Sequence, residues 1–406
     1  MKIVILNTSD SKGGAAIVSL RLMRALCAAG IDARMLVVDR RTDDERVAVA
    51  GTPEQLKWAF LRERLDIFLH NGLLRSELFK VSIANKGVDV LSHPWVKHAD
   101  IVCLNWINQG MMSLSTLEAL GKMGKKLVWT MHDMWCLTGM CHHSYGCDHY
   151  RESCGKCRFV RFPYRNDLSH RTWKKKRRLY SRTDFHFVAV SSWLAERFRE
   201  SSLTAGKPLT VIPNALPVER FAFDRSTNIP VGKKVIVMGA ARLDDPVKGF
   251  ELMTEAVNLI ATQHPEKAKD LQLLLFGDIR NPELLKQLKL PYEWLGPVAL
   301  ERIPELYRRS DIVLSSSHFE TLPTTLIEGQ AAGCLAVAFD HGGQRDIITH
   351  RKNGYLAKYP DTSDLAEGLL WAAGQTVDRA ALHNSVAERF SEAHIADMYI
   401  RLFKQL

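Results

Sequence analysis

Two glutamates with seven residues between them, Glu320 and Glu328, bracket Thr321-Leu322-Pro323-Thr324-Thr325 in a stretch that reads as strand end, loop and helix start. Pro323 is expected in the first helical turn, where its missing N–H would be unpaired anyway. The amides around Thr324 and Thr325 then point out of the helix and can hold an anion. Carboxylates on either side of an anion site suit a ligand that is polyhydroxylated at both ends and phosphorylated in the middle, as a nucleotide sugar is; a capped helix with two solvated glutamates is the plain alternative. Arg242 and Lys248, six residues apart across a strand-to-helix loop, can converge on one diphosphate, the first with a planar fork and the second as a point charge. His132-Asp133 follows the apolar run Lys126 to Met131, and Asn105-Trp106-Ile107-Asn108 closes the run from Asp100. Both pairs stand where open α/β sheets bind ligands, at C-terminal strand ends, with Asn105 and Asn108 as acceptor-site candidates.

Five of the eight cysteines fall between Cys136 and Cys157, and Cys141, Cys147, Cys154 and Cys157 alternate with His142, His143 and His149. In a reducing compartment thiolate ligation of a structural zinc by those four cysteines is the sharper expectation, and packed thiols without metal are the other. Residues 158–182 carry ten Lys or Arg against Asp167 alone, nearly all of the chain's net charge of +10. Such a block attracts a polyanion: lipid headgroups, a lipid-diphosphate acceptor or nucleic acid. Nucleic acid fits least, because Trp173 and Tyr180 are few aromatics and the block is embedded in a sheet domain.

A chain of 406 residues with 46% apolar content exceeds one ordinary core, so two domains are expected to carry these residues. The first, 1–215, opens with strand 2–8, the Gly13-Gly14 loop and a helix from Ala15, the first unit of a Rossmann-like fold. The loop lacks G-x-G-x-x-G, so a dinucleotide cofactor is not indicated; its glycines let backbone approach a ligand, or simply make a tight turn. Thr52-Pro53-Glu54-Gln55 starts a helix whose Leu56, Phe60, Leu61, Leu65, Phe68 and Leu69 form a stripe expected to pack on the core. Residues 220–232 read as a linker, 216–385 as the second domain, and a helix over about 386–406 as returning to the first. The opening residues read as a strand and no apolar run approaches the roughly 18 residues of a membrane span, so a cytoplasmic protein is expected.

In order along nearly the whole chain, Gly13-Gly14, Val128 to Asp133, Pro213-Asn214, Arg242 with Lys248-Gly249, Phe276-Gly277, Leu295-Gly296 and the Glu320 to Glu328 motif resemble the retaining GT-B glycosyltransferases of family 4. The resemblance implies two Rossmann-like doubly wound domains facing a central cleft, with acceptor binding in the first and donor binding in the second. It implies that Arg242 and Lys248 stabilise charge on the leaving phosphate and that Glu320 orients the sugar. It implies further that Glu328 holds the ribose, that Thr321, Leu322 and Thr324 line the donor, and that Gly296 and Val298 meet the nucleobase. Gly13 and Gly14 would face the diphosphate, and His132 would contact the sugar from the opposite domain. The donor would be a UDP- or GDP-linked sugar, with no catalytic metal. Trp129 to Cys157 is similar to a run in the subgroup making capsule or colanic-acid-type exopolysaccharide, which implies a lipid-linked saccharide acceptor and a peripheral place on the inner, anionic face of the cell membrane. Members also use the region of the Thr52 helix to touch the membrane or a lipid-linked acceptor. Ala215 stands where the family has Gly, and Asp346 where it often has Glu. A GT-B epimerase or phosphorylase, and more distantly a zinc-stabilised nucleic-acid module, are the alternative readings.

Overall fold

The computed structural model describes residues 1–222 and 232–406, so 223–231 of the expected linker lie outside the described residues. The chain divides into two compact units, Met1–Pro213 with Ile395–Leu406, and Asn214–His394.

The first unit is built on seven strands: β1 (Lys2–Leu6), β2 (Asp32–Val37), β3 (Val47–Val49), β4 (Ile101–Leu104), β5 (Lys126–Met131), β6 (Phe185–Ala189) and β7 (Leu209–Val211). Their order is β3-β2-β1-β4-β5-β6-β7 and every pair is parallel. The second unit has β8 (Lys234–Arg242), β9 (Leu271–Asp278), β10 (Tyr292–Trp294), β11 (Ile312–Ser315), β12 (Leu335–Phe339) and β13 (Gly354–Ala357), ordered β10-β9-β8-β11-β12-β13 and again parallel. Such sheets are covered on both faces, which is why their strands are continuously apolar. Strand order reverses between β1 and β4 in one unit and between β8 and β11 in the other, and ligands of such folds collect at that point.

Trp129 on β5 anchors the first core, with Phe185 at 5.3 Å, Phe187 at 5.9 Å and Trp135 at 6.0 Å between ring centroids. The strand expected over 2–8 ends at Leu6, although backbone bonds from Asn7 to Leu36 at 3.2 Å and from Thr8 to Trp106 at 2.8 Å carry the chain on, and Asn7 Oδ1 accepts from the Trp106 amide at 2.8 Å.

The helix Pro53–His70 begins as its capping box predicts, with Thr52 Oγ1 accepting from Gln55 N–H at 3.4 Å and Gln55 Oε1 from Thr52 N–H at 3.2 Å. Its orientation contradicts the expected core stripe. Ala59, Glu63, Arg64 and Ile67 face inward; of the expected stripe Leu56, Phe60 and Phe68 are half-buried, while Leu61, Leu65 and Leu69 are exposed. The cause is a buried, strandless segment whose amides need a partner. Glu63 Oε1 accepts from Ser82 Oγ at 2.5 Å, Ile83 N–H at 2.9 Å and Ala84 N–H at 2.8 Å, and Arg64 Nη2 sits 3.1 Å from Glu63 Oε2. An acid that satisfies three donors outweighs the burial of the leucines.

The basic block needs a correction too. Most of it lies on the helix Leu168–Arg182, capped by Asp167, but Lys176 is fully buried with Trp173, Leu179 and Tyr180. Its Nζ donates to the carbonyls of Trp135 at 2.5 Å and Thr138 at 3.1 Å and lies 3.4 Å from the centre of the Trp135 ring. The helix expected over about 386–406 is two, Arg379–Phe390 and Glu392–Gln405, separated at Ser391, whose Oγ caps the second by accepting from His394 N–H at 3.4 Å. Tyr399 Oη and Thr130 Oγ1 on β5 are 2.9 Å apart, which ties the second of these helices into the first unit.

Candidate functional site

The second unit gathers its candidates along the C-terminal edge of its sheet. A bulge between Gly239 and Arg242 lets β8 run on to Arg242, paired with Asp278 of β9, and re-aims the side chain. Arg242 Nη2 donates to Asp245 Oδ2 at 2.8 Å, and its Nε lies 3.5 Å from Asp244 Oδ1. Asp245 also caps the following turn by accepting from Val247 N–H at 3.1 Å, and Asp244 Oδ2 accepts from Arg280 N–H at 2.9 Å. Neither aspartate was singled out by sequence reasoning, although the Asp244-Asp245-Pro246 turn carries the signal.

Lys248 ends that turn, and its Nζ donates to Glu320 Oε1 at 2.7 Å. Burial pulls the lysine's pKa down, but the charge and hydrogen bond of Glu320, with Asp245 behind, outweigh it and the net displacement is upward. Gly249 follows at φ 61°, and a Cβ there would stand 2.1 Å from the Ser316 carbonyl, so only glycine lets the β8 loop press on the end of β11. Ser316 Oγ donating to Lys248 O at 3.1 Å and His318 N–H donating to Val247 O at 2.8 Å close the same junction. Glu320 is fixed through its backbone as well, its carbonyl accepting from Gly343 N–H at 3.0 Å.

Pro323 is the N-cap of the helix Thr324–Ala331, one residue earlier than expected, and no side chain caps the helix start. Thr321 and Leu322 form the approach to it, and Glu328 is buried in its second turn. Gly296 has φ 65° with open space around its Cβ position, and its carbonyl accepts from Gly277 N–H at 2.7 Å; Val298, half-buried, follows it.

In the first unit His132 stands just past β5 and its Nε2 lies 2.8 Å from Asn105 Oδ1, just past β4. Burial depresses His132 to about 4, against a smaller upward pull from Asp133, so its imidazole is neutral at neutral pH. Asp133 goes the other way. Burial alone would raise it, but His142 and the Trp135 amide hold it at about 2. Its Oδ2 accepts from Trp106 Nε1 at 2.8 Å and lies 2.6 Å from His142 Nδ1, and its Oδ1 accepts from Trp135 N–H at 2.8 Å. His142 was legible only as a member of the cysteine run; the fold turns it onto Asp133 instead.

Asn108 is reached through Thr8, whose Oγ1 donates to the Asn108 carbonyl at 3.0 Å. The Nδ2 atoms of Asn105 and Asn108 are buried without a hydrogen-bond partner. Gly13 (φ 92°) and Gly14, which begins the helix Gly14–Ala28, have open space around both Cβ positions.

The cysteines do not form the expected cage. Among the described residues no three His, Cys, Asp or Glu side chains are arranged to hold a metal ion. Cys154 Sγ instead accepts from Gly139 N–H at 3.1 Å, and burial pushes Cys141, Cys154 and Cys157 up to about 12, the range of neutral packed thiols. Cys147 is half-buried, and its nearby thiol adds to the upward push on the other three.

Comparison with known proteins agrees with this layout. A model described as Glycosyltransferase Family 4 matches residues 12–220, and one described as Glycosyl transferases group 1 matches residues 232–374. The gpi3 subunit of the phosphatidylinositol N-acetylglucosaminyltransferase of Schizosaccharomyces pombe is 23% identical over 231 residues, 54% of this chain and 49% of its own. The D-inositol 3-phosphate glycosyltransferase of Rhodococcus erythropolis is 27% identical over 203 residues, 47% of this chain and 45% of its own. The chain thus spans about half the length of the curated relatives it matches. The crystal structure of Anabaena HepE in complex with UDP and glucose aligns over 100% of both chains with a TM-score of 0.64 at 16% identity, a likeness of fold. With a family model covering half of the sequence and two parallel-sheet Rossmann-like units of the matching kind, this chain is a GT-B glycosyltransferase and belongs to glycosyltransferase family 4.

Proposed function

We propose that the protein is a retaining glycosyltransferase that moves a sugar from a UDP- or GDP-linked donor to a lipid-linked saccharide acceptor in the synthesis of a cell-surface polysaccharide. The observation that carries this reading is the pair of cations at the strand-order reversal of the second sheet, each held by a carboxylate: Arg242 by Asp245 and Lys248 by Glu320. A donor diphosphate would take over both cations, and Glu320 would then be free to accept from sugar hydroxyls. In the donor-free site the charge and hydrogen bond of Glu320 keep Lys248 protonated against its burial, so the cation is in place before the phosphate arrives.

Charge building on the departing diphosphate is met by groups already in place, which is the largest source of rate in such sites. As the bond from C1 to the diphosphate oxygen breaks, the acceptor oxygen joins C1 from the same face and passes its proton to the leaving phosphate. We assign donor binding to the second unit, with the helix start at Thr324 for phosphate, Glu328 for ribose and the Gly296–Val298 turn for the base. Acceptor binding falls to the first unit, where Asn105 and Asn108 hold unspent amide donors and neutral His132 offers a hydrogen bond to a sugar hydroxyl without adding charge. Among the described residues no helix is long and apolar enough to cross a membrane, and we place the enzyme peripherally, on the anionic inner face of the cell membrane.

Thermal-shift titration with UDP, GDP and their sugars tests the donor assignment, since a ligand at 100 times its Kd raises stability by about 2.7 kcal/mol. A shift with one nucleoside diphosphate, lost in Lys248→Ala, is expected; no shift with any of them removes the reading.

A further inference from the structure

We infer that His318 is a positioning residue: its imidazole bridges the loops that carry Lys248 and Glu320 and so sets how those two charges face the donor. The role rests on the donor chemistry proposed above for its purpose, although the contacts that define it stand alone.

His318 lies at the exit of β11, two residues before Glu320, and its ring nitrogens are spent on two other elements. Nε2 is 2.6 Å from Oε1 of Glu251, in the first turn of the helix Phe250–Gln263, which begins two residues after Lys248. Nδ1 is 2.7 Å from Tyr359 Oη, at the exit of β13. Burial, with the Glu251 charge added, pushes the Tyr359 phenol upward, so it keeps its proton at neutral pH. With a neutral imidazole all three groups are satisfied when the phenol donates to Nδ1 and the Nε2–H donates to the carboxylate.

Each bond leads to one member of the charge pair. The His318 N–H donates to Val247 O at 2.8 Å, so the backbone and the imidazole of one residue grip the Lys248 turn before and after the lysine. On the other side the Tyr359 ring stacks on the His341 ring at 4.1 Å, with 10° between the planes. His341 leads into Gly342 and Gly343, and the Gly343 N–H holds the Glu320 carbonyl at 3.0 Å. There is no slack at that point, since a Cβ on Gly343 would stand 1.9 Å from Thr321 O. A shift of His341 is therefore passed to the Glu320 backbone. The 2.7 Å contact between Lys248 Nζ and Glu320 Oε1 is thus closed by a ring of contacts that runs through one imidazole.

Fold stability does not account for this arrangement. The Glu251 side chain is 62% exposed, and an ion pair that open adds little to folding. Neither His318 nor Glu251 belongs to the apolar core of the second unit. Polar groups locked in one geometry beside two charges instead serve preorganisation, which holds charges where the transition state needs them.

The test uses the full chain and hydrolysis of UDP-glucose or GDP-mannose, whichever the parent turns over, read as released nucleoside diphosphate. His318→Phe keeps a ring and deletes both hydrogen bonds, and kcat is expected to fall roughly ten- to hundredfold, as for a misplacement of about 1 Å. Melting temperature and the shift induced by the nucleoside diphosphate should persist, because the cation is displaced and not removed; Lys248→Ala should lose both activity and shift. Tyr359→Phe, which keeps the stack on His341, and Glu251→Ala, at the surface, each remove one arm and should each show part of the loss, which keeps the role testable should His318→Phe fold poorly. In a Lys248→Ala background His318→Phe should cost a smaller factor than in the parent. All three variants within about twofold of the parent while Lys248→Ala fails, or an undiminished factor in that background, would overturn the role and leave the donor reading intact. A loss confined to KM would do the same, because it marks uniform binding and not placement in the transition state. A parent that neither shifts with nor turns over either nucleotide removes the donor reading, and this role with it.

Discussion

Replacing Lys248 with alanine removes the ammonium group 2.7 Å from Glu320 and leaves that carboxylate without its cation. If Lys248 meets the leaving diphosphate, the loss should resemble that of one preorganised charge contact, about 2.7–4 kcal/mol or roughly 10²–10³-fold in kcat. The loss of stability should be far smaller. The Lys248 side chain is 33% exposed and Glu320 17%, so solvent screening keeps the pair's contribution at about 0–1 kcal/mol. Because the folded pKa is raised, that contribution is full below the unfolded lysine value of 10.5 and is lost only as pH climbs through the higher folded value. Activity between neutral pH and mild alkali should therefore show no inflection from this group. The assay is donor turnover, with hydrolysis counted when no acceptor is known, read beside melting temperature. Glu320→Gln and the double variant complete a cycle: independent contacts multiply their losses, whereas a lysine that merely restrains Glu320 makes the double variant no worse than Glu320→Gln. Activity within a few-fold of the parent, or that second outcome, refutes the phosphate role.

Asp245→Asn should tighten UDP or GDP binding several-fold by calorimetry, because it removes a carboxylate competing for Arg242 while keeping an oxygen to cap Val247; weaker binding would show that the aspartate organises the site. His132, depressed to about 4, should show no protonation near 6.5 by NMR in the folded protein. Since the unfolded chain binds that proton first, its linkage costs stability as pH falls from about 6.5 towards 4, and Asp133, held at about 2, loses its contribution only as pH falls through that value. An imidazole titrating near 6.5 would remove the role of a neutral His132. Lys176→Ala should cost about 2–4 kcal/mol in urea unfolding through a cavity and two abandoned carbonyls, whereas Lys174→Ala should stay within about 0.5 kcal/mol. The contribution of Lys176 is full above the unfolded value of 10.5 and falls as pH drops through about 7, so parental stability should rise with pH across that window more than it does in Lys176→Met.

Much of this architecture was readable because it depends on one-dimensional patterns. Runs such as Lys126–Met131 are apolar without alternation, as strands covered on both faces must be, and the start at Thr52 is local chemistry. The placement of Arg242, Lys248 and Glu320 just beyond β8 and β11 was readable because apolar runs followed by polar turns mark strand ends. What escaped depends on partners distant in sequence. The leucine stripe of Pro53–His70 predicted a buried face, yet Glu63 is claimed by amides about twenty residues ahead and turns the helix over. Nothing near Lys176 distinguishes it from Lys175; only the carbonyls of Trp135 and Thr138, about forty residues earlier, do so. His142 looked like part of a thiol cluster because spacing cannot show which way an imidazole turns. The cysteines fell short of a cage for a related reason: ligand spacing constrains a loop, whereas ligation requires the sulfurs to meet at a point.

The segment Ile395–Leu406 belongs to the first unit, where Tyr399 meets Thr130 on β5, although all of Asn214–His394 is translated in between. At roughly 5–20 residues per second the ribosome takes about 10–35 s to cross that interval. For that time the nascent first unit waits with Thr130 and its neighbours uncovered, while the second unit can already close its own sheet. Maturation of the first unit is therefore timed by synthesis of the second, and a ribosome stalled within Asn214–His394 would leave it incomplete, with an apolar seam open to chaperones.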